Sequence, residues 1–347
     1  MKKLSVITVL NTVNYGSALQ TFATQKYFTD KGFEVEFVDY WRKDQKTEAR
    51  IENIKKDKKD SLKKWLKKPI RDFLEIKSIK ASEKVFRGFI TQKINLTSQT
   101  YSSFEELKED CPEADIYVTG SDQMWNSGWN QGIEKSFFLE YVPEDKKRIA
   151  YATSIGKTEF DENEAKEIIP YIRKYDLITL REQSAVDLLK KYDIESSLVL
   201  DPTLMLGRES WEKYIPRMDN NKKYLLVYQL HNEHADASFD DAVKKIAKHK
   251  NLDIIRVTYS YSDIKVGKKL VLPDVFEFLA LIKNAEFIVT DSFHGTAFSI
   301  NFNKPFVALK RFKENKFSQN SRIINILSRF NLEDRLYNNK SLNLSQI

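Results

Sequence analysis

Short apolar, β-branched runs alternate with segments of helical periodicity along nearly the whole chain. Residues 4–10 read as a strand, 11–17 as a loop, and 18–28 as a helix closed by Lys31-Gly32. A strand at 33–40 follows. Beyond an interruption at about 42–100, residues 104–108 read as helix and 115–119, 148–154, 177–180 and 197–200 as strands. Helices at 161–175 and 182–192 lie between them. A second set begins after Gly207, with strands at 224–230, 253–259, 287–290 and 306–309. Helices at 236–249, 274–283, 296–302 and 318–330 alternate with these. Apolar strands separated by helices are parallel and joined by right-handed crossovers. The pattern predicts an α/β chain of two parallel-sheet domains, 1–205 and 206–347, meeting near 204–208.

Composition narrows the class. The 347 residues exceed a typical single domain, and a hydrophobic share of 41% suits a soluble globular protein. No apolar run reaches membrane-spanning length, and Met1-Lys2-Lys3 leads into a strand rather than a signal peptide. The single Cys111 excludes an internal disulfide framework, and four scattered histidines give no zinc spacing. A cytoplasmic protein is expected. Basicity is local: residues 42–93 hold 18 Lys or Arg against 8 Asp or Glu, an excess of ten where the whole chain carries +7. Leu62, Trp65, Leu66, Ile70, Phe73 and Leu74 follow helical spacing between those lysines, and Pro69 is expected to break or kink the helix. Such a stretch either docks on an anionic membrane surface or packs its apolar face on the body. No nucleic-acid motif accompanies the charge.

Glycines locate a site. Of ten, Gly16, Gly120, Gly156 and Gly295 each stand just after a predicted strand, where a backbone turns sharply or admits a ligand. Each has polar company: Asn14, Tyr15 and Ser17; Ser121, Asp122 and Gln123; Thr153 and Ser154; Asp291, Ser292 and His294. Arg181 adds a cation at the end of a fifth strand. The strand 287–290 runs into Asp291-Ser292-Phe293-His294-Gly295, so His294 stands where helix N–H groups favour anions. Taken alone, that stretch reads equally as a capped turn with a structural histidine. Four such loops at strand carboxyl ends argue for a cleft between facing domains.

These residues carry a resemblance. Asn14-Tyr15-Gly16-Ser17-Ala18-Leu19-Gln20 resembles the opening loop and helix of the polysaccharide pyruvyl transferase family. Gly120-Ser121-Asp122-Gln123-Met124-Trp125-Asn126 resembles its most recognisable motif. Arg148 to Gly156, Arg181-Glu182, Asp201-Pro202-Thr203 and Asp291 to Gly295 continue it in order. The resemblance implies two Rossmann-like domains facing across a cleft, as in GT-B glycosyltransferases. It also implies transfer of pyruvate from phosphoenolpyruvate onto two hydroxyls of a sugar in a bacterial-type surface polysaccharide or its lipid-linked precursor, leaving a cyclic ketal and phosphate. One departure stands out: ketal-forming relatives tend to carry an Arg close before the histidine, and here Asp291-Ser292-Phe293 precede it. Arg181 or Arg322 would replace that cation.

The chemistry assigns expected roles. The donor's phosphate and carboxylate need helix N-termini and fixed guanidinium groups, supplied by Arg181, Arg322, Ser292, Gly295 and Thr296. His294 suits protonation of the methylene carbon, with Asp122 as the second catalytic residue. Asn14, Tyr15, Gly16, Ser121, Gln123, Trp125 and Ser154 are expected to meet the acceptor, on the amino-terminal side. No metal or cofactor is called for, phosphoenolpyruvate being a substrate. A nucleotide-sugar glycosyltransferase and a non-catalytic sugar- or phosphate-binding relative are the competing readings. A serine hydrolase is disfavoured: Ser292 and His294 are only two apart, and no Gly-x-Ser-x-Gly elbow exists.

Overall fold

The computed structural model describes residues 1–56, 68–218, 222–230, 238–263, 265–309 and 321–337. The first sheet holds β1 (Lys3–Ile7), β2 (Glu34–Tyr40), β3 (Leu96–Tyr101), β4 (Ile116–Thr119), β5 (Lys147–Thr153), β6 (Leu177–Leu180) and β7 (Ser197–Leu198). Their order is β3-β2-β1-β4-β5-β6-β7. The second sheet holds β8 (Tyr224–Tyr228), β9 (Asp253–Thr258), β10 (Lys268–Val271), β11 (Phe287–Thr290), β12 (Phe306–Leu309) and β13 (Leu336–Tyr337), in the order β10-β9-β8-β11-β12-β13. Neighbouring strands in both sheets are parallel, with Val6 opposite Val118 and Val289 opposite Val227. The expected pair of parallel-sheet domains is thus present.

In each sheet the strand order reverses at one place, between β1 and β4 and between β8 and β11. Connections leave in opposite directions there, opening a crevice at the strands' carboxyl ends. The two crevices face each other. One apolar cluster runs through the junction: Tyr15, Phe22, Trp211, Phe278 and Phe298 are all buried in it. The Tyr15 ring stacks on Phe278 at 4.3 Å, and its hydroxyl donates to the Pro273 carbonyl at 2.7 Å. Aromatic stacking adds to the area such rings bury, so this contact ties the domains together. Asn301 donates to the carbonyls of Thr203 (2.8 Å) and Leu206 (3.1 Å), fixing the segment between the sheets.

The basic segment forms a helix at Thr47–Lys56 and another at Lys68–Lys93. Leu62, Trp65 and Leu66 lie outside the described residues. Pro69 does not break the second helix; it stands in the first turn, where its missing N–H would have had no intrahelical partner. The far half of this helix packs on the body through Phe86, Phe89 and Ile90. Its near end does not: Ile70 and Phe73 are 69% and 66% exposed.

Candidate functional site

His294 lies in the first turn of the Phe293–Asn301 helix, directly after β11. Ser292 caps that helix, its hydroxyl accepting from the Gly295 N–H at 3.2 Å. A side chain at Gly295 would collide with Thr290 Oγ1 and come within 3.0 Å of the Tyr228 ring, so glycine lets the helix sit close on β11. Across the junction, Asn14 caps the Tyr15–Asp30 helix, accepting from Gly16 N at 2.8 Å. Gly16 then meets His294 itself: a Cβ on Gly16 would overlap the imidazole and lie 2.7 Å from the His294 Cβ. The loops after β1 and β11 therefore touch through one glycine and one histidine.

Around His294 stand buried charges from three strand ends. Arg181, after β6, donates to Asp201 Oδ2 at 2.9 Å and to Asp122 Oδ1 at 3.2 Å, and Glu182 lies 3.7 Å from its Nε. Its guanidinium sits 4.6 Å over the Phe293 ring. Asp122 also accepts from Ser17 Oγ at 2.5 Å and from Gln123 N at 2.9 Å. Its φ of 84° is one few non-glycine residues adopt. The strain, of order 1–3 kcal/mol, is held by N–H donors from Met124 and Ser154 to the Asp122 carbonyl. Burial would raise the Asp122 carboxyl, but Arg181, His294, Ser17 and Arg322 outweigh it and hold the group below the usual carboxylate range.

Asp201, after β7, is the carboxylate nearest His294, with Oδ2 3.7 Å from Nε2. That separation is too long for a hydrogen bond, and Nε2 has no hydrogen-bond partner among the described residues. Asp201 is engaged elsewhere, by Ser121 Oγ (2.9 Å) and by Thr203 N and Oγ1 (2.9 and 2.6 Å). Against the upward push of burial, His294, Arg181 and Thr203 drive its carboxyl well below its ordinary value. A cavity of about 290 Å³ opens beside Arg181, Asp201 and Phe293, walled on the far side by Asn325, Ile326 and Arg329. Among the described residues, no three His, Cys, Asp or Glu side chains group so as to hold a metal ion.

The structure brings His294, Asp122, Arg181 and Arg322 together, all buried, with Arg322 in the Ser321–Arg329 helix acting on Asp122 through space. It places other expected contacts differently. Trp125 does not face the crevice: it stacks on Phe138 at 5.8 Å, meets Tyr175 edge-on at 5.2 Å, and donates to the Phe137 carbonyl. Tyr15 is taken up by the interdomain aromatic layer. Thr296 returns its hydroxyl to the Ser292 carbonyl at 3.0 Å, a bond internal to its helix. Ser154 donates to Glu182 at 2.8 Å, and Gln123 accepts from Asn126 at 2.6 Å, so both brace the loops. Glu182 also accepts from Ile155 N and Gly156 N, both at 2.9 Å. Asp201, Glu182 and Ser17 belong to the site without having been assigned to it. Asp201 and Glu182 stand in the sequence within motifs of the family resemblance, Asp201-Pro202-Thr203 and Arg181-Glu182, without a role of their own at the site.

Comparison with protein families matches residues 14–311 to the model described as polysaccharide pyruvyl transferase. A comparison with curated proteins found no match. Among solved structures, the chain resembles the S. aureus MnaA–UDP co-structure at 14% identity and a TM-score of 0.51, covering 96% of this chain and 90% of that one. It also resembles UDP-GlcNAc 2-epimerase from Methanocaldococcus jannaschii in complex with UDP-GlcNAc and UDP, at 13% identity and a TM-score of 0.49, covering 99% and 94%. At such identities the likeness concerns the fold, which is of the GT-B kind.

Proposed function

Because the chain belongs to the polysaccharide pyruvyl transferase family, we propose that it transfers pyruvate from phosphoenolpyruvate to two hydroxyls of a sugar in a surface polysaccharide or its lipid-linked precursor. The observation that carries this reading is the meeting of His294 with Asp122, Arg181 and Arg322 where the two crevices face. His294 delivers a proton to the methylene carbon, and one sugar oxygen adds to the cationic carbon beside it, returning a proton to the site. Displacement of phosphate by the second oxygen, with loss of its proton, closes the ketal. Arg181 and Arg322 hold the donor's phosphate and carboxylate, and the Ser292–Thr296 helix start adds its N–H groups. A carboxyl as low as that of Asp122 is a weak base, which suits it to hold an acceptor hydroxyl. The loops at Asn14–Ser17, Ser121–Gln123 and Ser154 form the acceptor wall. In this reading residues 1–205 serve the acceptor and 206–347 the donor.

The same reading puts the protein on an anionic membrane face. The exposed Ile70 and Phe73 stand beside Arg71 in the segment of local excess charge, an apolar and basic pairing that favours headgroup contact. Thermal shift tests the donor. Phosphoenolpyruvate should raise Tm more than any nucleotide-sugar, Arg322→Ala should remove most of that rise, and phosphate should appear only with an acceptor present. A larger shift with a nucleotide-sugar, indifferent to Arg322→Ala, would assign the protein to glycosyl transfer instead.

A further inference from the structure

Another pocket, with polar groups set in a mostly apolar wall, lies away from His294, at the carboxyl ends of β1 and β2, between the loop 10–13 and the basic helices. Trp41, Gln45, Arg50, Glu83 and Arg87 line it, around a void of about 30 Å³. Arg87 is firmly held: it grips Asp39 through two hydrogen bonds of 2.6 Å, reaches Asn11 Oδ1 at 3.1 Å, and lies 5.1 Å over the Trp41 ring. Two groups beside it are unanswered. Trp41 Nε1 is buried without a hydrogen-bond partner among the described residues. The Arg50 side chain, partly buried, makes no hydrogen bond or ion pair among them; Glu83 acts on it only from beyond ion-pair distance. Burial accordingly pushes the Arg50 guanidinium down, with Glu83 opposing. Leaving a buried indole N–H unmet is costly unless a ligand completes it, and the Arg50 guanidinium beside it has no carboxylate within ion-pair distance among the described residues.

We propose that this pocket is a subsite for an anionic group of the glycan acceptor, a phosphate or a carboxylate, held by Arg50 and the Trp41 N–H. Its place in the acceptor rests on the pyruvyl-transfer reading; its taste for anions does not. The void suits oxygens of one charged group rather than a whole ring. The described helices beside the pocket carry more Lys and Arg than Asp and Glu, which favours anions there. Gln45 stands alongside to meet hydroxyls. The pocket is also within reach of the chemistry. Gly16, which touches His294, stands five positions after Asn11, so at most about 18 Å of chain lies between them. A glycan of a few sugars spans that.

Isothermal titration of the full chain with inorganic pyrophosphate, D-glucuronate and the neutral methyl glucoside tests this without turnover. Pyrophosphate should bind in two events, one lost in Arg322→Ala and the other weakened at least about tenfold in Arg50→Gln, the share of one charge-assisted hydrogen bond. Trp41→Phe, which keeps the ring and removes the N–H, should weaken the same event. A preference for glucuronate or for pyrophosphate at the Arg50-dependent event identifies carboxylate or phosphate as the natural group. Anion binding unchanged in Arg50→Gln and Trp41→Phe, or methyl glucoside bound as well as glucuronate, overturns the proposal. Failure of the chain to use phosphoenolpyruvate, with the Arg50-dependent event intact, would overturn only the pyruvyl-transfer reading.

Discussion

Replacing Gly16 with alanine adds one methyl group at the point where the two domains meet. The backbone tolerates it, since Gly16 lies in the first turn of a helix and is not among the residues of positive φ. Alanine there even favours the helix by up to about 1 kcal/mol. The new Cβ would lie 2.7 Å from the His294 Cβ and overlap its ring, against a carbon contact distance of about 3.5–4.0 Å. The imidazole must retreat by about 1 Å or more. Overpacking of this kind costs about 1–3 kcal/mol, so the net loss of stability is about 0–2 kcal/mol and Tm should fall by a few degrees only. Turnover should fall far more, about 10²-fold, the effect of an ångström of misplacement at a reacting group. Phosphate release and thermal melting read the two separately. The double variant with His294→Ala should be no slower than His294→Ala alone, because both changes act through one group. Wild-type turnover in Gly16→Ala would refute the assignment of proton transfer to His294, and additive losses would refute the coupling.

Other outcomes follow from the same site. His294→Ala should lower turnover about 10²–10⁴-fold while melting normally, measured by phosphate release. Asp201→Asn leaves Arg181 short of a partner and should lower Tm at neutral pH, since breaking a buried pair costs about 3–5 kcal/mol. The Asp201 carboxyl is lower in the folded chain than in the unfolded one, so its stabilisation is present above about pH 4 and disappears as pH falls through the folded value. The Tm difference between wild type and Asp201→Asn should therefore narrow on acidification below about pH 4; a constant difference would contradict it. Ile70→Ser with Phe73→Ser should weaken co-sedimentation with anionic vesicles, and added salt should weaken it further; unchanged sedimentation would favour a helix that merely packs on the body.

Much of this was legible in the chain, and the gaps have physical causes. β8 and β11 are apolar on both faces because helices cover both sides, so their runs are unambiguous. β3 (Leu-Thr-Ser-Gln-Thr-Tyr), β10 and β13 were not foreseen. All three are sheet edges, where half of each strand faces water and the apolar signal thins out. Arg322 was legible because a helix start after the last long strand points to the crevice. Trp125 misled because an aromatic residue in a glycine-rich motif looks like a ligand platform, while Phe138 and Tyr175, which enclose it, come from distant sequence. Asp201 was legible as part of a family motif but not as a neighbour of His294, since no local pattern reveals that His294 approaches from more than ninety residues away.

The contact between Gly16 and His294 makes access and reactivity a single event. A sugar cannot come up to His294 while Gly16 rests against it and Tyr15 is wedged on Phe278 a residue away. On the proposed reading, an acceptor would reach His294 only by loosening that seam, which costs about 25 cal/mol for each Å² of apolar ring surface exposed. In the structure the imidazole is buried and shut off from solvent by that contact. On the pyruvyl-transfer reading, the seam that joins the two domains would therefore also shield a bound donor from simple hydrolysis.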